Sequence, residues 1–282
     1  ANWNSPARKS PTSPSMLSVA PIALGFTAPL APVVQPVRGA AVKMETVDDL
    51  KAIANKANPV IGYWDPTPLA SMEFWGQSQE ATIGFLRHSE IKHGRVAMAA
   101  FVGFVLQSNG VHFPWGLSLD GTSFADIAAA GGPAAQWDAL PTNSKLQILL
   151  VIGFLEFWGE NSWALSQSGE KHYMRGGKPG FYPSLKKGGI PHPVPFDLFD
   201  PFGFSKNASP EKKADGLIKE INNGRAAMLG IMGFVAASKV PGSVPALNGI
   251  ITPYSGEVMA PFSGSDSALP FVKEMLAAAP FQ

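Results

Sequence analysis

The sequence contains no cysteine, and this absence excludes disulfides, thiol catalysis, and zinc or iron–sulfur centres with cysteine ligands. Charged residues are also scarce, at 15% of 282 positions against about 25% in typical soluble domains. Because the net charge is only +1, the chain has no electrostatic reason to bind nucleic acid. The sequence shows no nucleophile–base arrangement and no phosphate-binding loop, so the pattern argues against an enzyme.

Acidic residues are missing from the first 44 positions, which carry four basic residues and seven prolines. A basic, serine-bearing segment without acids is typical of an organelle transit peptide, and the alternative is a retained extension. The apolar stretch 17–30 is interrupted by Pro21 and Pro29, so we do not expect it to span a membrane. We predict three regions: the extension or transit remnant 1–44, a helical domain 45–262, and a tail 263–282 with a short amphipathic helix.

One motif occurs twice in the chain, with an offset of 130 residues. The segment 90–105 begins Glu-Ile-Lys-His-Gly-Arg, the segment 220–235 begins Glu-Ile-Asn-Asn-Gly-Arg, and 9 of the 16 positions are identical. So dense a match, with charged residues inside it, indicates a duplicated element. An aromatic Asp-Pro turn precedes each copy, at Asp65-Pro66 and at Asp200-Pro201.

Apolar patterning predicts three long helices, at about 81–108, 142–165 and 210–238. The apolar part of the first is shorter than the ~20 residues that a bilayer requires, so it spans only if the charged turn of the motif also lies near the hydrocarbon. The loop 109–144 has no basic residue, whereas 167–216 has eight. The positive-inside rule then places the N-terminus and the 166–210 loop on one side, and the 109–144 loop and the C-terminus on the other. The predicted fold is an all-α membrane protein with three transmembrane helices and short amphipathic surface helices. Its first and third helices cross and are related by the repeat.

The charges of the motif are costly inside a membrane helix and need partners. Glu90 and Arg95 lie about 140° apart around one helix, so they cannot readily pair with each other. We therefore expect two exchanged ion pairs between the repeats, Glu90 with Arg225 and Glu220 with Arg95. Small residues such as Gly94 would let the two backbones approach closely. Ion pairs that merely lock the helices together are the alternative interpretation.

A neutral donor follows each glutamate by three residues, on the same helix face: His93 in the first repeat and Asn223 in the second. An oxygen and imidazole ligand set suits Mg²⁺ better than a soft metal. One ligand per ion suits a metal that a porphyrin-like macrocycle already holds. A di-iron centre would need a second Glu-x-x-His, and haem ligation by His93 would leave the ion pairs unexplained.

The two motifs, in this order and with a helix between them, resemble those of the light-harvesting chlorophyll-binding proteins of photosynthetic membranes. The resemblance spans about residues 60–260. The residues around the motifs are similar to those of the chlorophyll a/c-binding proteins of red-lineage algae. This branch includes fucoxanthin proteins and dinoflagellate peridinin proteins, and the peridinin type is the most similar here.

The resemblance implies a set of pigment-binding residues. The chlorophyll magnesium ligands would be Glu90, His93, Gln147, Glu156, Glu220 and Asn223. Turns containing Trp64, Asp65, Pro66, Asp200 and Pro201 would hold the ends of carotenoids. Ala237 stands where the family often has a further Gln or His ligand.

The resemblance also implies the pigments and the setting. The cofactors would be chlorophyll a, chlorophyll c, carotenoids of the peridinin or fucoxanthin and diadinoxanthin type, and lipids. The partners would be a photosystem I or II core and neighbouring antenna subunits. In the plastid thylakoid membrane, the N-terminus and the 166–210 loop would face the stroma, while the 109–144 loop and the C-terminus would face the lumen.

Three functions remain open at this point. The leading one is an antenna that passes excitation to a photosystem without making or breaking bonds. The second is a photoprotective quencher on the same scaffold. A small transporter with buried ion pairs is the distant alternative.

Overall fold

The computed structural model describes residues 45–190, 200, 203–204, 207–258 and 260–278. The predicted extension 1–44 and the turn residue Pro201 lie outside these residues. The described chain is mostly helical, and its α-helices are α1 (Val47–Ala57), α2 (Gln79–Ser108), α3 (Phe124–Ala128), α4 (Pro133–Ala139), α5 (Thr142–Glu160), α6 (Ser162–Gln167), α7 (Pro210–Lys239) and α8 (Val272–Ala277).

The starts of the two longest helices follow from local capping. The side chain of Ser78 accepts a hydrogen bond from the Ala81 amide at the start of α2. Ser209 caps α7 in the same way, and Pro210 occupies the first helical position, where its missing N–H is not needed. Both helices run within two residues of the predicted bounds 81–108 and 210–238.

The predicted helix 142–165 is wrong at its C-terminal end, because the chain forms two helices there. Asn161 leaves helical geometry (φ −71°, ψ 118°), and its side chain accepts hydrogen bonds from the amides of Trp163 and Ala164. This side chain therefore ends α5 at Glu160 and caps α6. Asparagine is a favoured cap because its side-chain oxygen can accept hydrogen bonds from backbone amides that have no partner in the first turn of a helix.

The two repeats meet where α2 crosses α7, at the matched glycines Gly94 and Gly224. A Cβ atom added to Gly94 would lie 3.0 Å from the Cα atom of Gly224, and the reverse distance is 2.9 Å. Only glycine at both positions permits this approach without displacing a helix. Farther along, the ring of Phe234 stacks on Phe101 and Phe104 with 5.0 Å between centroids in both pairs.

The helix α5 buries little of its own surface. Of its 19 residues only Lys145 and Trp158 are buried, while Leu150 and Phe157 are 73% and 66% exposed. Apolar side chains also project outward from the crossed pair, such as Val96 on α2 and Leu229 on α7. Among the described residues, none of the helices combines the length and the hydropathy expected of a bilayer-crossing segment.

Polar contacts fasten the C-terminal segment to the start of α5. The Lys145 ammonium is fully buried and lies 2.6 Å from Oδ2 of Asp266. The hydroxyl of Thr142 donates to the other oxygen of Asp266 at 2.5 Å. Within the described part of the tail the chain forms the short helix α8 (Val272–Ala277).

Candidate functional site

Two ion pairs flank the crossing of α2 and α7. Oε1 of Glu90 accepts a hydrogen bond from Nε of Arg225 at 2.8 Å, and Nη2 of the same guanidinium lies 2.6 Å from this oxygen. Oε1 of Glu220 accepts from Nε of Arg95 at 2.5 Å. These are the exchanged pairings expected from the duplicated motif. Each pair neutralises two charges that would be expensive to place near hydrocarbon.

The first repeat has an additional arginine that the sequence reasoning missed. Nη1 of Arg87 donates to Oε2 of Glu90 at 2.5 Å, and its Nε donates to Glu45 at 3.1 Å. Arg87 precedes Glu90 by three residues, a spacing that places both on one helix face. The matched position in the second repeat is Leu217. Comparison of the two repeats therefore could not predict the contact between Arg87 and Glu90.

The imidazole of His93 is arranged to offer one lone pair to the outside of α2. Its Nδ1 lies 2.8 Å from the carbonyl oxygen of Ser89, so Nδ1–H is the donor and neutral His93 carries its free lone pair on Nε2. The side chain is exposed. Histidines that bind a metal through Nε2 usually donate such a hydrogen bond from Nδ1, which fixes the tautomer and the orientation of the ring.

The second repeat places a different donor on the corresponding face of α7. Asn223 is exposed, and its amide oxygen is a neutral acceptor with two lone pairs. The neighbouring Asn222 has a structural task, because its side-chain amide donates to the carbonyl oxygen of Ala57 at 3.0 Å and holds α1 against α7.

Two other histidines are committed to hydrogen bonds within the protein. Nδ1 of His88 accepts the amide of Gly180 at 3.1 Å, so the proton of the neutral ring lies on Nε2. His172 donates from Nε2 to Glu160 at 2.8 Å and accepts the Met174 amide at Nδ1. Neither ring retains a lone pair for a metal in these tautomers.

The two candidate ligands of the middle helix lie on opposite sides of it. Glu156 and Gln147 are nine residues apart, which is about 180° of rotation, and both are exposed. Oε2 of Glu156 accepts a hydrogen bond from Nζ of Lys92 on α2 at 2.6 Å. Lys92 thus neutralises this carboxylate, as the arginines neutralise Glu90 and Glu220.

The first Asp-Pro turn is organised by its aspartate. The carboxylate of Asp65 accepts the amides of Leu69 and Ala70, both at 3.0 Å, and the hydroxyl of Tyr63 at 3.1 Å. The hydrogen bond from the Ala70 amide is the largest of the effects that hold the pKa of Asp65 below its usual value. Trp64 beside it is 76% exposed, so its indole is available to an apolar partner.

The second Asp-Pro turn is described only in part. Asp200 has a positive φ of 52°, and its carbonyl oxygen accepts the amide of Gly203 at 3.0 Å. This is the hydrogen bond of a tight turn.

Comparison with known proteins identifies the family. The family model described as "Chlorophyll A-B binding protein" matches residues 50–239, from α1 to the end of α7. A chloroplastic fucoxanthin-chlorophyll a-c binding protein of Trieres chinensis is 29% identical over 81% of this chain and 97% of its own length. Protein C of the same name from Phaeodactylum tricornutum is 30% identical over 64% of this chain and 75% of its own. Fucoxanthin-chlorophyll a-c binding protein E from Macrocystis pyrifera is 34% identical over 62% of this chain and 68% of its own length. The chain belongs to the chlorophyll A-B binding family of light-harvesting proteins, and these relatives place it near the fucoxanthin-chlorophyll a-c branch.

Proposed function

We propose that this chain is a light-harvesting antenna subunit that holds chlorophyll a, chlorophyll c and carotenoids and passes excitation toward a photosystem core. The observation that carries the proposal is the crossed helix pair, in which neutralised glutamates and neutral donors occupy matched positions. The protein's task would be to fix the spacing and orientation of pigments, and this requires no bond to be made or broken.

The donor atoms would suit the magnesium of a chlorophyll, since magnesium prefers oxygen and imidazole ligands to soft ones. Nε2 of His93 and the amide oxygen of Asn223 are exposed and uncharged. Glu90 and Glu220 each bring a carboxylate whose charge an arginine balances. We assign these four residues as ligands from the repeats, with Glu156 and Gln147 on two opposite faces of α5.

The exposed apolar side chains of α5 support binding of pigments and lipids around this helix. A helix that buries two of 19 residues against its own chain gains little hydrophobic stabilisation from protein contacts alone, at about 25 cal/mol per Å² of buried apolar area. Chlorophyll rings, carotenoid chains and lipid tails would cover this surface and supply the missing stabilisation. Carotenoid ends would lie at the turns formed by Trp64, Asp65 and Pro66 and by Asp200 and Pro201.

The setting follows from the same proposal. The chloroplastic relatives support a plastid location, and α2, α5 and α7 would cross the thylakoid membrane. The basic 166–210 loop would face the stroma, and the acidic 109–144 loop would face the lumen. A photosystem I or II core and adjacent antenna subunits would receive the excitation.

The fucoxanthin proteins among the relatives favour a fucoxanthin-type carotenoid, with peridinin as the alternative. Pigment extraction followed by chromatography separates the two directly.

A matched pair of histidine variants tests the assignment of His93. The protein would be refolded with a plastid pigment extract, and bound chlorophyll would be counted for His93→Ala and for His112→Ala, which changes an exposed loop histidine. We expect His93→Ala to lose a single chlorophyll and His112→Ala to lose none, because only His93 has a fixed Nε2 lone pair on a long helix. Equal chlorophyll content in both variants would remove His93 from the ligand set.

A further inference from the structure

We propose that Arg87 is a positioning residue that makes the two glutamate ligands of the repeat unequal. It occupies the second carboxylate oxygen of Glu90 and so limits how this ligand can bind magnesium, whereas Glu220 has no such constraint. The inference rests on the proposed role of both glutamates as chlorophyll ligands.

The carboxylate of Glu90 has little acceptor capacity left for a metal. An ionised carboxylate offers about four acceptor positions, two on each oxygen. Oε1 accepts a hydrogen bond from Nε of Arg225 at 2.8 Å and has Nη2 of the same guanidinium 2.6 Å away, and Oε2 accepts one N–H group from Arg87 at 2.5 Å. The Arg225 guanidinium therefore covers Oε1, and the position open to magnesium lies on Oε2 beside Arg87.

The carboxylate of Glu220 keeps more acceptor positions open than that of Glu90. Its Oε1 accepts one N–H group, from Nε of Arg95 at 2.5 Å. The Nη1 group of Arg95 donates instead to the carbonyl oxygen of Gly180 at 2.6 Å. Among the hydrogen bonds of the described residues none reaches Oε2 of Glu220, so about three positions remain open there.

The surroundings of Arg87 argue that it does more than stabilise the fold. Its side chain is only 6% exposed, and its Nη2 is buried without a hydrogen-bond partner in the described structure. A buried N–H group without a partner is costly, and Leu217 at the matched position avoids that cost. The Arg87 guanidinium also bonds Glu45 ahead of α1, which fixes it in place over Glu90.

The difference should alter both the strength and the geometry of the two axial bonds. Charge-assisted hydrogen bonds draw electron density from a carboxylate and, as contacts behind a metal ligand, tune its bond to the metal. Glu90 would thus bind chlorophyll in one fixed orientation through a weakened bond. Glu220 would bind more strongly and with fewer restrictions.

A reciprocal exchange between the repeats tests this inference. In the pigment-loaded protein, Arg87→Leu gives the first repeat the residue of the second, and Leu217→Arg gives the second repeat the residue of the first. Release of chlorophyll in detergent would be followed over time, and the variants Glu90→Gln and Glu220→Gln would identify the phase that belongs to each site. We expect Arg87→Leu to slow release from Glu90 by about tenfold, which corresponds to about 1.4 kcal/mol. Leu217→Arg should speed release from Glu220 by a similar factor.

Two controls separate this effect from a general change in stability. Glu45→Gln removes the other partner of Arg87 but leaves its contact with Glu90, so release from Glu90 should not slow. Lys51→Gln breaks only an exposed pair with Asp48 on α1 and should change neither phase. The red absorption band of the affected chlorophyll should shift in each exchange variant, a response that a purely structural role would not produce.

Several outcomes would overturn the inference. They are unchanged or faster release from Glu90 in Arg87→Leu, and unchanged or slower release from Glu220 in Leu217→Arg. If Arg87→Leu fails to fold, Leu217→Arg decides alone. A wild-type protein without bound chlorophyll would instead refute the proposed function.

Discussion

Replacing Gly94 with alanine perturbs the close crossing of α2 and α7 at its narrowest point. The new Cβ would lie 3.0 Å from the Cα atom of Gly224 and 3.6 Å from its carbonyl carbon, while ordinary contacts fall between 3.4 and 4 Å. Since these neighbours are backbone atoms, the helices must move apart by several tenths of an ångström. The ion pairs beside the crossing, now 2.5 to 2.8 Å long, would lengthen as well.

The expected cost follows from two opposing terms. Overpacking of this kind costs about 1–3 kcal/mol, and the higher helix propensity of alanine returns up to about 1 kcal/mol. With the full gain from propensity, the net destabilisation is about 0–2 kcal/mol, which should lower Tm by up to roughly 8 °C for a domain of this size. The assay is thermal loss of the visible circular dichroism of the pigment-loaded protein in detergent.

Gly103 and Gly233 provide matched controls on the same two helices. A Cβ added at either position meets no described atom within 4 Å, so only the propensity term applies. We expect Gly103→Ala and Gly233→Ala to stabilise the protein by up to about 1 kcal/mol, and so to leave Tm unchanged or to raise it. A Tm shift of the same sign and size in Gly94→Ala and Gly103→Ala would refute the reasoning about the crossing.

Three further predictions concern charged groups. Lys145→Met should destabilise the protein by about 3–5 kcal/mol in chemical denaturation, because it leaves the buried Asp266 carboxylate without its partner; an unchanged unfolding curve would show that the C-terminal segment is not held there. Burial raises the pKa of Asp266, but hydrogen bonds from Lys145 and Thr142 outweigh it and hold the pKa below 3.8. In the wild type this carboxylate therefore contributes its full stability above pH 3.8 and loses it as the pH falls through the lower folded value. In Lys145→Met burial is no longer offset by the ammonium, so the cost of the variant should be largest at pH 7 and should shrink as the pH falls and the carboxyl group takes up a proton; a cost that stays constant down to pH 3 would contradict the assignment. Arg95→Glu should abolish pigment binding by placing two carboxylates together, and Arg95→Glu with Glu220→Arg should restore part of it; equal loss in the single and the double variant would mean that the exchanged pair is not what matters.

The sequence was sufficient for the features that the repeat encodes. Glu90 and Arg95 occur again at an offset of 130 residues, and two helices that each carry both groups on different faces can pair them by exchanging partners where they cross. The structure contains both exchanged pairs, and it places the crossing at the matched glycines Gly94 and Gly224. The starts of the long helices were predictable to within two residues, because a serine cap and a proline at the first position act on the first turn alone.

The features that lie outside the repeat were not predictable in this way. Arg87 has no counterpart in the second copy, so its contact with Glu90 emerges only from coordinates. The buried pair of Lys145 and Asp266 joins residues 121 positions apart, and nothing in the local sequence of either one indicates the other. Asn161 ends α5 through hydrogen bonds with its own backbone neighbours, a local effect that the apolar pattern of 142–165 concealed.

The most direct test of the central claim is the absorption and fluorescence-excitation spectrum of the protein, extracted from its native membrane in mild detergent. The account predicts bands of chlorophyll a and chlorophyll c together with a carotenoid band that appears in the excitation spectrum of chlorophyll a emission. Strongly shortened emission from the same pigments would favour a quencher over an antenna. A protein that purifies without pigment would contradict the proposed antenna function, and the exchanged ion pairs of α2 and α7 would then have only a structural role.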